Sequence, residues 1–374
     1  MPTSFRPRDY LPPVAPVRYR AIDGLRFIAA MGVVAHHYTG LAGSPFLETL
    51  FAKNYLFVDF FFAISGFVIF HTYADRMTSL AAYGDFLKNR IARVYPLHLF
   101  TLLLFALLAA TLWRAKPDRG FVDPQAFIPN LLMIHAWGTT SLTAFNYPSW
   151  SISAEWFAYL LFPAVVLLLR RAGALATLLV ALAIVAGLET AVHRGLIEPW
   201  TTLTWHFGAL RVLPTFLAGA ALAHAIDRLP LRIDGFGPAW ALFAGSFLAM
   251  AAGLDDRLIV LSLLACLVAT AVAERDGATG LLTRRVMAGL GDLSYAIYMI
   301  HPLIGMVFIG FVGGKLLHLT GSPLVAWAAF CAFVPNLVVS WFLFHGFETP
   351  ARRFVRDFRW RLEPRAVRLP AAQK

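Results

Sequence analysis

Charge is scarce in this 374-residue chain: 14% of its residues are Asp, Glu, Lys or Arg, where soluble domains carry about a quarter, and 59% are hydrophobic. That balance excludes a soluble globular protein of this size. Cysteine is almost missing, and Cys266 and Cys331 both lie inside apolar runs, so no disulfide is expected. Acidic residues number 21 against 32 basic ones, but the surplus sits in the tails and between apolar runs, so nucleic acid is not an expected partner. No 20–50-residue repeat is apparent, and no segment is long enough to be a soluble domain. The scattered histidines lack ligand spacing, and no metal site is expected.

What is present is a near-continuous series of apolar runs about 20 residues long, the length that crosses a hydrocarbon core. Ten can be delimited: 21–40, 54–74, 92–113, 149–169, 172–193, 203–225, 238–254, 257–274, 292–312 and 322–346. The fold class that follows is an all-α integral membrane protein. A shorter apolar piece, Phe127 to Gly138, cannot span and is read as re-entrant or interfacial. With the N-terminus inside, 23 of the 32 Lys and Arg fall in inner segments and 7 in outer ones, which puts both termini in the cytoplasm. The organisation is then an N-tail (1–20), a membrane domain (21–346) and a basic C-tail (347–374).

Ionisable groups inside spans are costly and mark functional sites. In LRFIAAMGVVAHHY (25–38), Arg26 and His37 are eleven residues apart. That is three turns plus about 20°, so they share one helix face about 16 Å apart, while His36 points about 100° away. A cation and an imidazole at two depths suit a long ligand lying along the helix; the plainer alternative is a snorkelling arginine and a buried, hydrogen-bonded histidine. The second span carries Asp59 and Ser65-Gly66, of which the latter suits close helix packing as well as a binding site. Lys88, Arg90 and Arg93 sit at the inner mouth of the third, either as an anion site or as a topogenic cluster. In PSWSISAEWFAYLLFP, Glu155 lies about 9 Å below the outer boundary at a depth like that of Arg211, and the two are either a structural ion pair or part of a site. Tyr295, Tyr298 and His301 form a stripe at steps of three that packing alone could explain. Glu348 and Pro350 read as a helix stop.

Taken in order, these motifs resemble the membrane-bound acyltransferase family 3, O-acetyltransferases of extracytoplasmic glycans. The carriers are the Arg26-to-His37 spacing, VDFFFAISGF, RIARVYP, WSISAEWFAYLLFP, RVLPTFLAG, LSYAIYMIH and FETP, and they cover nearly the whole chain. Phe57 and Ala158 depart from the residues common in the family. The resemblance implies a multi-pass protein of the bacterial inner (cytoplasmic) membrane that moves an acyl group, most often acetyl, from cytoplasmic acetyl-CoA or another acyl-CoA to a hydroxyl of a glycan or glycosylated acceptor. It implies His37 as base or acyl carrier, with Glu155 or Asp59 orienting it or holding sugar hydroxyls. Acyl-CoA is expected against Arg26, Arg90, Arg93, Ser65, Gly66, Tyr295, Tyr298 and His301, and the acceptor against Trp150, Ser151 and Arg211. No permanently bound cofactor is implied, and a homo-oligomer or a separate periplasmic partner is compatible. The rival reading, a transporter or flippase of a lipid-linked or glycan precursor, calls for half-to-half similarity and paired broken helices, which the sequence lacks.

Overall fold

The computed structural model describes residues 18–112 and 123–358; most of the expected N-tail and residues 359–374 of the C-tail lie outside these. The helices that coincide with the ten apolar runs are α1 (Arg20–Ala42), α2 (Phe57–Tyr73), α3 (Leu80–Leu112), α4 (Trp150–His193), α5 (Gly208–Ala225), α6 (Gly237–Ala251), α7 (Asp256–Arg275), α8 (Arg285–Ile304) and α9 (Gly321–Leu343), followed by a short α10 (Thr349–Asp357). α4 takes two runs, because Gly173 (φ 80°, ψ −179°) adopts a backbone conformation open to glycine alone and divides the helix. Among the described residues, seven helical stretches are long and apolar enough to cross a membrane. α1 is long enough, with 23 residues, but its arginines and histidines dilute its hydropathy; α6, with 15, is short. The protein is an all-α membrane protein.

Three boundaries differ from the sequence reading. α3 starts at Leu80, twelve residues before the apolar run, because Ser79 Oγ accepts the Ala82 N–H (3.1 Å) and nothing breaks the helix before Pro96. Phe127–Gly138 contains only a five-residue helix, Phe127–Leu131, and its following turn is pinned where Ser153 Oγ accepts the Ala136 N–H (3.0 Å). Glu348 and Pro350 do not stop the last helix. Wider π turns at Phe344–Glu348 carry it into α10, with Pro350 in the first turn, where its missing N–H leaves no bond unmade.

Parallel helix pairs position the site. In α2 and α5, Asp59 meets Arg211, Gly66 meets Phe216 and Phe70 meets His224 in the same order along both. In α1 and α8, Asp23 abuts Gly291 and His37 abuts His301. A Cβ on Gly66 would lie 2.0 Å from the Phe216 carbonyl oxygen, and one on Gly219 would lie 1.9 Å from that of Ala63, so α2 and α5 touch backbone to backbone. Gly66→Ala and Gly219→Ala should each therefore destabilise the protein by about 1–3 kcal/mol. Gly245→Ala, with nothing within 4 Å of the new methyl, is the neutral control. Thermal unfolding in detergent reads the difference, and equal midpoints in all three variants would refute the contact.

Candidate active site

Two cavities meet inside the bundle. The first, with about 840 Å³ of free space, lies between α2, α3, α4 and α8 and is lined by Arg26, Ser65, Arg90, Arg93, Ser151, Glu155, Tyr295 and Tyr298 among apolar side chains. The second, about 1040 Å³, is lined by Arg18, Asp23, Asp292 and Arg352 and shares Arg26, Arg90 and Arg93 with the first. These three arginines form the junction between a basic mouth and an interior chamber. α3 contributes two of them from successive turns, and α1 the third.

Each guanidinium is held. Arg90 donates to the Tyr73 hydroxyl (2.9 Å) and stacks on the Tyr73 ring with its carbon 5.0 Å from the centroid. Arg93 ion-pairs with the buried Glu348 and lies over the Tyr295 ring at 5.5 Å. Arg26 faces Asp23 at 3.5 Å, and Arg18 bridges Asp23 (2.6 Å) to Asp292 (2.7 Å). The mouth keeps a positive excess, five arginines against Asp23 and Asp292 in its lining. Planar guanidinium groups in such a setting suit phosphate oxygens.

Deeper in, Glu155 accepts a short hydrogen bond from the Ser65 hydroxyl. Ser151 donates to the Tyr298 hydroxyl (2.9 Å), and Tyr295 donates to the Val94 carbonyl (2.5 Å). Beyond Tyr298, whose ring centroid is 5.9 Å from that of His301, lies a histidine pair: His37 Nδ1 is 3.0 Å from His301 Nε2, with the rings stacked at 5.0 Å. The Tyr147 ring meets both imidazoles edge-on, 4.8 Å from His37 and 6.2 Å from His301. His36 turns away and bonds the Phe51 carbonyl (3.0 Å).

Five sequence-expected residues fall elsewhere. Arg211 does not pair with Glu155. It makes a bidentate ion pair with Asp59 (3.0 and 2.6 Å) in which both side chains are at most 1% exposed, and its guanidinium lies 5.0 Å from the Trp150 ring. Asp59 and Arg211 thus neutralise each other outside the cavity lining, because α2 and α5 run side by side from the same end; Trp150 packs on that pair. Gly66 faces α5 and not the chamber. His301 stands with His37 and not with the arginines at the mouth. Sequence reasoning missed Glu348, Tyr73, Tyr147, Arg18 and Arg352. Of these, Glu348 carried a signal, a carboxylate in an apolar setting.

A bundle of apolar helices enclosing an arginine-lined entrance, with a chamber of mixed apolar and polar lining and an imidazole pair behind it, defines a multi-helix membrane protein with a charged site in its interior. The chain belongs to the acyltransferase family 3: residues 19–345 match the family described as "Acyltransferase domain". It is similar to "Acyltransferase MdmB" of Streptomyces mycarofaciens, 28% identical over 332 residues, which is 80% of this chain and 82% of that protein. It is also similar to "Protein 2 in picA locus" of Rhizobium radiobacter, 34% identical over 155 residues, which is 37% of this chain and 78% of that protein. No solved structure matches.

Proposed function

We propose that this membrane acyltransferase moves an acyl group, acetyl above all, from a cytoplasmic acyl-CoA to a hydroxyl of an extracytoplasmic glycan or glycosylated acceptor in the bacterial inner membrane, with His37 as base or acyl carrier. The observation that carries the reading is the junction of Arg26, Arg90 and Arg93 between mouth and chamber, with His37 about 16 Å farther along α1 from Arg26. The phosphates of CoA fit the arginines, and the pantetheine arm then reaches toward the imidazoles. The thioester carbonyl is attacked either by the acceptor oxygen while His37 Nε2 takes its proton, or by that nitrogen first. In the first route the C–S bond breaks and the thiolate takes the proton from Nε2; in the second the C–S bond breaks as the acyl group moves to Nε2, the acceptor hydroxyl then displaces the imidazole from the acyl carbon, and its proton goes to the thiolate. Glu155 faces the chamber beside Ser65 and would hold sugar hydroxyls of the acceptor. On the orientation set by the loop charges, the mouth is cytoplasmic and the acceptor arrives from the other face.

The test is transfer of label from radiolabelled acetyl-CoA in membranes. Arg90→Ala should raise KM for acetyl-CoA about tenfold or more with kcat far less affected, since a charge-assisted phosphate contact of roughly 1.5–3 kcal/mol is lost in ground and transition states alike. No transfer in wild-type membranes supplied with cell-envelope acceptor would remove the reading, and an unchanged KM would remove the arginines from the donor site.

A further inference from the structure

We infer that His301 is a positioning residue that fixes the tautomer of His37, leaving His37 Nε2 bare and available to the substrate. The inference rests on the proposed role of His37. In a regular helix the carbonyl of Tyr298 would accept the N–H of residue 302. Residue 302 is proline and has no N–H, so that carbonyl is released inside α8. His301 Nδ1 takes it, at 2.7 Å. A carbonyl oxygen only accepts, so Nδ1 carries the hydrogen.

The His301 side chain is 0% exposed, and among the described residues no carboxylate bonds either ring. An imidazolium there would be an uncompensated buried charge, so His301 is neutral and its Nε2 is a lone-pair acceptor. The group 3.0 Å from that nitrogen is His37 Nδ1, which must then be the donor. A neutral His37 protonated at Nδ1 has its free lone pair on Nε2. The backbone around the pair is itself pinned: Tyr38 donates to the His301 carbonyl (2.9 Å) and Asn146 to that of Met299 (2.9 Å). The other titratable rings facing His37 are His36, 5.0 Å away and bonded to the Phe51 carbonyl, and Tyr147 at 4.8 Å.

The consequence is a relay whose last member is a neutral imidazole and not a carboxylate. When Nε2 of His37 takes the acceptor hydroxyl proton, the positive ring keeps Nδ1–H against the lone pair of His301, and the proton on Nε2 is later delivered to the departing thiolate. If Nε2 attacks the thioester instead, the same lone pair is used and Nδ1–H again stays in place. The wrong tautomer would present an N–H to the substrate in both routes, with neither base nor nucleophile.

The experiment uses the full chain in detergent, its histidines labelled with heavy nitrogen, and long-range ring correlations that report which nitrogen of each imidazole is protonated. The His37 signals are those lost in His37→Ala. In wild type, His37 should be protonated at Nδ1. His301→Phe keeps the ring volume but removes the acceptor, and should give a mixed or Nε2-protonated His37. It should also lower kcat by about 10²–10⁴-fold, leaving KM for acetyl-CoA near its wild-type value. His301→Gln, whose side-chain oxygen can accept in the place of Nε2, should restore the Nδ1 tautomer and bring kcat back to within roughly tenfold. The inference is overturned if wild-type His37 is protonated at Nε2. It is equally overturned if His301→Phe leaves the tautomer unchanged, which is the result if another acceptor such as the Val33 carbonyl one turn below holds that proton. The spectra are read without turnover, so a protein with the expected tautomer and no acyl transfer would sink the acyltransfer reading while sparing the His37–His301 assignment.

Discussion

His37→Ala should lose acyl transfer by at least about 10²–10⁴-fold while inserting and folding normally, and His36→Ala should stay within roughly tenfold of wild type. The two residues are adjacent, equally polar and in the same helix, so any general effect of removing an imidazole from α1 acts on both. Geometry separates them. His37 stacks on His301 and meets the edge of Tyr147, and His36 bonds through its Nδ1 to the Phe51 carbonyl at the end of the neighbouring short helix, Pro45–Phe51. Losing that single part-buried hydrogen bond costs on the order of 1 kcal/mol of stability and no chemistry. The measurement is transfer rate per mole of detergent-purified, monodisperse protein. Equal losses in the two variants, or a fully active His37→Ala, would remove His37 from the reaction.

The largest expected effect on stability lies at Asp59 and Arg211. Asp59→Ala leaves a guanidinium that is 1% exposed with its ionic partner gone, and should destabilise the fold by about 3–5 kcal/mol; Arg211→Met should do the same to the carboxylate. The double variant Asp59→Leu/Arg211→Met removes both charges and should recover most of the loss, because an apolar pair of similar volume carries no desolvation penalty. Glu155→Gln behaves differently. Its amide oxygen can still accept from Ser65, so the fold should survive while the chamber loses its carboxylate. Thermal unfolding of the four proteins decides the matter. An Asp59→Ala variant as stable as wild type, or a double variant no better than the singles, would contradict the buried pair.

Local periodicity was enough to read the helices and the shared face of Arg26 and His37, because hydropathy over about 20 residues and 100° per residue are properties of a single segment. The inner arginines were also legible, since Arg90 and Arg93 lie one turn apart in α3. Partnership across helices was not. Glu155 and Asp59 have similar depths from the outer boundary, and depth alone cannot say which of them Arg211 meets; the backbone contact at Gly66 and Gly219 that aligns α2 with α5 gives it to Asp59. The same holds for His37 and His301, 264 residues apart, which only the parallel packing of α1 on α8 brings to 3.0 Å. Glu348 read as the end of a helix because a proline follows it closely, until π turns carried the chain onward and turned the carboxylate to Arg93. The sequence by itself determined where the apolar helical segments lie and which polar groups share a face within one of them, since both depend on neighbours along the chain. Which polar groups neutralise one another, and which stay free to face a substrate, was decided by tertiary packing, because a buried charge is satisfied by whatever the adjoining helix presents at that depth.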